Sequence, residues 1–81
     1  MENRLKYNRL KTVLSDKGKS REDLAKFLDT HISTVAKWNT NVNQPPIPVL
    51  YRIAEYLEVS VYDLLEPTPR ALPAKRRPKN D

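Results

Sequence analysis

Hydrophobic residues recur along this chain in short stripes, three and four positions apart, each broken by a polar or turn-forming group. Tyr7, Leu10, Val13 and Leu14 form the first stripe, and Leu24, Ala25, Phe27 and Leu28 the second. Val35 and Trp38 mark the third. Leu50, Ile53, Ala54 and Leu57 keep the i, i+3, i+4, i+7 spacing of a helix with one buried face. The breaks carry their own chemistry. Lys17-Gly18 ends the first helix, with Gly free to take the left-handed conformation. Ser20, with Asp23 three residues on, approximates a capping box for the second. Asn41 is a plausible left-handed stop for the third, and "NVNQPP" is a loop. Pro48 suits the first turn of the fourth helix, where a missing N–H costs nothing. Ser60 caps a fifth, with Asp63 at its third position and Val59 able to pack on Leu64. Residues 59–62 are locally strand-prone, but no alternating run is long enough to predict a sheet. The pattern predicts an all-α domain of five short helices over residues 1–66. Beyond it, "PTPRALPAKRRPKND" has four prolines and almost nothing to bury, and predicts a flexible basic Pro-rich tail over residues 67–81.

Helices two and three are joined by about Asp29, Thr30 and His31 alone. So short a link favours two helices crossing steeply, which is the helix-turn-helix geometry. Close crossing needs a small residue at the contact, and Ala25 fits. On a helical wheel of about 100° per residue, a buried Val35 puts Ile32 and Trp38 about 60° to either side. Ser33 and Lys37 then point almost directly outward, flanked by Thr34, Ala36 and Thr40. That edge is narrow, polar and free of acid, so it could enter a major groove without repelling phosphates.

Charge strengthens this picture. The net charge is +5, but it is unevenly spread. Residues 1–44 carry nine Lys/Arg against five Asp/Glu, residues 45–66 one against four, and residues 67–81 five against one. A basic front, an acidic back and a basic tail suggest one face that meets a polyanion. With 81 residues there is room for one small domain. The absence of cysteine excludes a disulfide scaffold or thiolate metal site and is compatible with a reducing cytoplasm. No apolar run approaches the roughly 20 residues needed to span a bilayer. His31 is the only histidine, so a cap or a phosphate contact suits it better than metal binding or catalysis. No Gly-rich phosphate loop, metal-ligand cluster or nucleophile–base pair is visible.

The chain resembles the Xre/Cro-type helix-turn-helix family of phage and bacterial repressors, the lambda repressor-like domains. The resemblance covers about residues 7–65. It rests on "LKTVLSDKGKSREDLAKFL", "STVAKW" and "RIAEYLEVSVYDLL", in order and at the right spacing. It implies that helix three is the recognition helix, with Ile32, Ser33 and Lys37 at base-reading positions and Thr34 nearby. It implies phosphate contacts from Arg21 and the capping Ser20 at the start of helix two, and from Thr40, Asn41 and Asn43 after helix three. The chain also departs from the family. Asp29 stands where the turn usually has Gly, and His31 stands at the usual cap, with Thr30 as an alternative cap. Leu14 and Asn39 replace an Arg–Glu pair that many members carry.

The function expected is sequence-specific, DNA-binding transcriptional regulation by a bacterial or phage protein in the cytoplasm, acting without a cofactor or catalytic residue. One recognition helix reads few base pairs, so a homodimer on two half-sites about 34 Å apart is expected. Tyr51, Tyr56 and Tyr62 could line its interface or be half-buried surface residues. Lys75, Arg76 and Arg77 in the tail could lie along phosphates, act as a solubilising end, or meet another protein. Two alternatives remain. One is an antitoxin or restriction–modification controller of the same fold, whose partner protein would be a toxin in place of polymerase. The other is a helical interaction module that does not bind DNA.

Overall fold

The computed structural model describes residues 5–71. A short strand, β1 (Leu5–Asn8), is followed by α1 (Leu10–Asp16), α2 (Arg21–Leu28), α3 (Ile32–Asn39) and α4 (Ile47–Leu57). A 3₁₀ turn over Val61–Leu64 leads directly into β2 (Leu65–Ala71), which pairs antiparallel with β1. The helices close on Leu10, Leu24, Val35, Ile53 and Leu64, all without solvent exposure, with Trp38 and Leu57 beside them. Burying each such side chain contributes about 1.5–3 kcal/mol, which is how so short a chain holds together.

Two expectations fail at the ends of the domain. The fold is not all-α. Tyr7 belongs to β1, not to a first helix, because Asn8 interrupts the stripe. Its buried Oδ1 accepts from the Leu10 N–H at 2.9 Å, and the Arg9 N–H donates to the Leu64 carbonyl at 2.8 Å. The chain before α1 is thereby held extended. The fifth helix is also replaced. Ser60 and Asp63 form the expected box: Ser60 Oγ accepts from the Tyr62 N–H, and Asp63 Oδ2 from the Ser60 N–H. Yet only one 3₁₀ turn follows. Leu65 is extended (φ −117°, ψ 146°), and Pro67 disfavours a helical residue before it. The backbone therefore continues past Glu66 as a strand to Ala71. Leu5 pairs with Ala71 and Lys6 with Arg70, and the register shifts before Asn8 meets Leu65. The shift absorbs the stretch with Pro67 and Pro69, which have no N–H to give a ladder. Lys6 and Glu66 add an ion pair at 3.5 Å.

Phe27 is also placed differently from the expected buried side of helix two. It is 43% exposed and stacks on Tyr56, with ring centroids 4.4 Å apart. Arg52 lies over Phe27 and Lys19 over Tyr56. These cations cover an aromatic pair that would otherwise be an open apolar surface.

Candidate nucleic-acid interface

The start of α2 is set by its capping box. Ser20 Oγ accepts from the Asp23 N–H at 3.0 Å, and Asp23 Oδ2 accepts from the Ser20 N–H at 3.1 Å. That backbone bond, the Ser20 hydroxyl bond and nearby Lys19 and Lys26 hold the Asp23 carboxyl below the usual carboxylate range. One of the two acids in this first turn is thus turned back onto the helix. Arg21 stands exposed beside it.

The turn then forms as its residues allow. Asp29 is left-handed (φ 57°, ψ 50°), and the Thr30 N–H reaches the Ala25 carbonyl at 3.0 Å. Asp is one of the few residues that visits this region without large cost. Ala25 is buried, and α2 packs against α3. His31, not Thr30, is the residue before α3, and its side chain makes no capping bond.

Along α3, Val35 is fully buried and Trp38 nearly so. Ser33 and Lys37 are exposed, Thr34 and Ala36 half-buried, and Ile32 is 38% exposed. The outward edge therefore has the composition read from the wheel, with no acidic residue on the helix. Thr40 is exposed but turns its hydroxyl back to the Ala36 and Lys37 carbonyls. Asn43 is exposed, with its N–H on the Lys37 carbonyl.

Asn41 is the exception among these residues. It is left-handed (φ 61°), as its position suggested, but only 4% exposed. Its Oδ1 accepts from the N–H groups of Tyr7 and Asn8 at 2.9 and 3.0 Å and from Gln44 Nε2 at 3.1 Å, while its Nδ2 donates to the Asn8 carbonyl. The side chain is committed to β1 and does not face outward. Asn8 replies with Nδ2 bonds to the Trp38 carbonyl (3.0 Å) and to Gln44 (2.7 Å). The end of α3 is thus bolted to the strand by a buried polar network. Sequence reasoning missed Asn8; a buried-looking Asn at the first stripe was its only signal.

A cleft of about 500 Å³ lies between α1, the start of α2 and the end of α3. It brings Ser20, Arg21 and Thr40 together with Lys11 and Lys19, two cations the sequence did not single out. Leu14 and Asn39 line its floor. Leu14 is buried, and Asn39 Oδ1 is buried without a hydrogen-bond partner. Lys11, Lys19 and Arg21 form a basic rim at the cleft, which Glu22 also lines, and Lys37 stands exposed on the α3 edge. Lys75, Arg76 and Arg77 lie outside the described residues. Among the described residues no helix is long and apolar enough to cross a membrane, and no group of three or more His, Cys, Asp or Glu could hold a metal ion.

The model of the Cro/C1-type helix-turn-helix DNA-binding domain family matches residues 9–70. Among solved structures, the chain is similar to one described as "a putative DNA-binding protein from Bacteroides fragilis". The two share 32% identity and a TM-score of 0.72, over 73% of this chain and 95% of that one. No curated protein matches.

Proposed function

The chain belongs to the Cro/C1-type helix-turn-helix DNA-binding family, and from that premise we propose that it is a sequence-specific transcriptional regulator of bacterial or phage type. The observation that carries the proposal is the α3 edge: Ser33 and Lys37 stand out one turn apart, on a helix fixed from behind by Val35 and Trp38. Lys37 donates to guanine O6 or N7 in the major groove, a contact worth about 1–3 kcal/mol of discrimination. Ser33 and Thr34 read less selectively, and the exposed part of Ile32 lies against a thymine methyl.

Affinity comes from the rim. Arg21, Lys19 and Lys11 neutralise phosphates, and the α2 N-terminus beside Ser20 offers N–H groups and the positive end of a helix dipole. His31 before α3, and Thr40 and Asn43 after it, hold the backbone at the two ends of that helix. Asn41 acts from within, by fixing the segment from which Thr40 and Asn43 project. The basic tail with Lys75, Arg76 and Arg77 adds phosphate contacts without sequence preference. Regulation follows from a homodimer occupying a promoter, by binding alone and without a chemical step. The description of the Bacteroides fragilis structure as "a putative DNA-binding protein" supports the same reading.

Selection from a random duplex pool with the purified chain tests it. The expected result is enrichment of one short sequence. No enrichment even at low salt would leave only the interaction-module reading. A partner protein that co-purifies and releases the DNA would favour the antitoxin reading.

A further inference from the structure

A row of four side chains joins α4 to the basic rim of the cleft. Lys19 directly precedes the Ser20 cap and lines the cleft. Its Nζ lies over the Tyr56 ring, 5.3 Å from the centroid. Tyr56 stacks on Phe27 with the ring planes 21° apart, and the Arg52 guanidinium lies over Phe27 at 5.4 Å. Of the three tyrosines suggested for an interface, Tyr56 alone is half-buried. It packs against the core from α4, between the buried Ile53 and Leu57 in sequence, so its ring is held in place. Lys19 is fixed at its backbone, where Gly18 is left-handed (φ 69°) and the Lys19 N–H donates to the Leu14 carbonyl at 2.9 Å. Its four-carbon stem would rotate freely without the ring.

Two forces would then draw the Lys19 charge off the rim. Lys11 and Arg21 line the same cleft and repel a third cation. The Asp23 carboxylate, which does not line the cleft, attracts it. We propose that Tyr56 is a positioning residue for DNA binding: its ring holds the Lys19 ammonium at the cleft, ready to meet a backbone phosphate. The inference rests on the DNA-binding reading above and extends it to α4, which contributes to affinity from behind the interface. An ammonium carries three N–H donors, so resting on a ring leaves donors for a phosphate oxygen. A cation–ring contact at an exposed site favours the held arrangement by about two- to fivefold. Apparent affinity scales with the fraction of molecules already in the competent arrangement, so the same factor is the ceiling on what Tyr56 adds to binding.

The test measures affinity of the full chain for the duplex recovered by selection, in the wild type, Tyr56→Phe, Tyr56→Leu, Lys19→Gln and the Lys19→Gln/Tyr56→Leu double variant. Tyr56→Phe keeps the ring and should bind as the wild type does. Tyr56→Leu keeps an apolar body against the core but has no ring, and should bind about two- to fivefold more weakly with the same preferred sequence. On the Lys19→Gln background the leucine should cost nothing further, because a ring that acts through Lys19 has nothing left to position. An equal loss with and without Lys19 would show that Tyr56 acts only through the fold, and overturns the proposal. So does wild-type affinity in Tyr56→Leu. The wild type by itself gives a second decision, which stands even where Tyr56→Leu fails to fold. Its Lys19 side-chain protons, shielded by the ring, should resonate upfield of those of the other lysines, both free and with DNA bound. Shifts equal to the other lysines, or an upfield shift lost on DNA binding, overturn the proposal. Failure of the wild type to bind any duplex would sink the DNA-binding reading and this role with it, whereas binding that Tyr56→Leu leaves unchanged sinks this role alone.

Discussion

Replacing Asn41 with glycine separates two roles that sequence position alone assigns to it. Asn41→Gly preserves the left-handed backbone (φ 61°) and removes the carboxamide. The side chain's bonds to Tyr7 and Gln44 can be taken over by water, because both residues are exposed. Its two bonds to Asn8 cannot, since Asn8 is 1% exposed. Leaving a buried N–H and a buried carbonyl unsatisfied costs about 1–3 kcal/mol each. Glycine recovers about 1 kcal/mol by adopting the left-handed conformation freely. The net loss should be about 1–5 kcal/mol, a large share of the stability of so small a domain and a fall of at least about 5 °C in Tm. Urea unfolding followed by fluorescence of Trp38, the single tryptophan, measures it. Asn43→Gly, at an exposed site, is the control. A loss below about 0.5 kcal/mol, equal to the control, would refute the bolt between α3 and β1. A residue whose role were to hold a phosphate would show the reverse: stability unchanged and DNA affinity lowered on every sequence.

Four other outcomes are expected. Lys37→Ala should weaken the preferred site by about 1–3 kcal/mol and relax one base position, which repeated selection from a random pool would reveal; an identical preferred sequence at equal affinity removes Lys37 from the readout. Asp29→Gly should stabilise the domain by about 0.5–1 kcal/mol in urea unfolding, because it relieves the left-handed side chain at φ 57°; a destabilised protein would show that the turn is not strained. Asp23 has its pKa lowered on folding, chiefly by the Ser20 N–H, so its contribution is present above the ordinary carboxylate range and fades as pH falls through the depressed value; the urea midpoint of Asp23→Asn should accordingly fall less in acid than that of the wild type. Removing residues 72–81, which leaves β2 intact, should shallow the dependence of DNA affinity on salt by about 0.9 per lost phosphate contact without changing the preferred sequence; an unchanged slope would take the tail off the DNA.

The centre of the molecule could be read from residue order because its determinants are local. The Ser20 and Ser60 boxes, the Asp29 turn and the Val35–Trp38 spacing each act within a few residues, and each forms as its chemistry suggests. The outward edge of α3 followed from the same periodicity. What could not be read depends on contacts distant in sequence. Tyr7 fits a helical stripe, yet β1 forms because Asn41, over thirty residues away, accepts its N–H, and because β2 returns beside it. The same pairing ends the expected fifth helix after one turn. Asn41 is legible in the sequence as a left-handed stop, because that is a backbone property. Its side chain's direction depends on Asn8 and Gln44 and was not visible. Phe27 stays exposed because its partner, Tyr56, comes from another helix.

The most direct test of the central claim is amide chemical-shift mapping during titration with the duplex that selection recovers. The largest changes are expected at Ile32, Ser33, Thr34 and Lys37, with a second group at Lys19, Ser20 and Arg21, and little change at Glu55 or Tyr62. Changes concentrated on α4 and the 3₁₀ turn, with the α3 edge undisturbed, would contradict it.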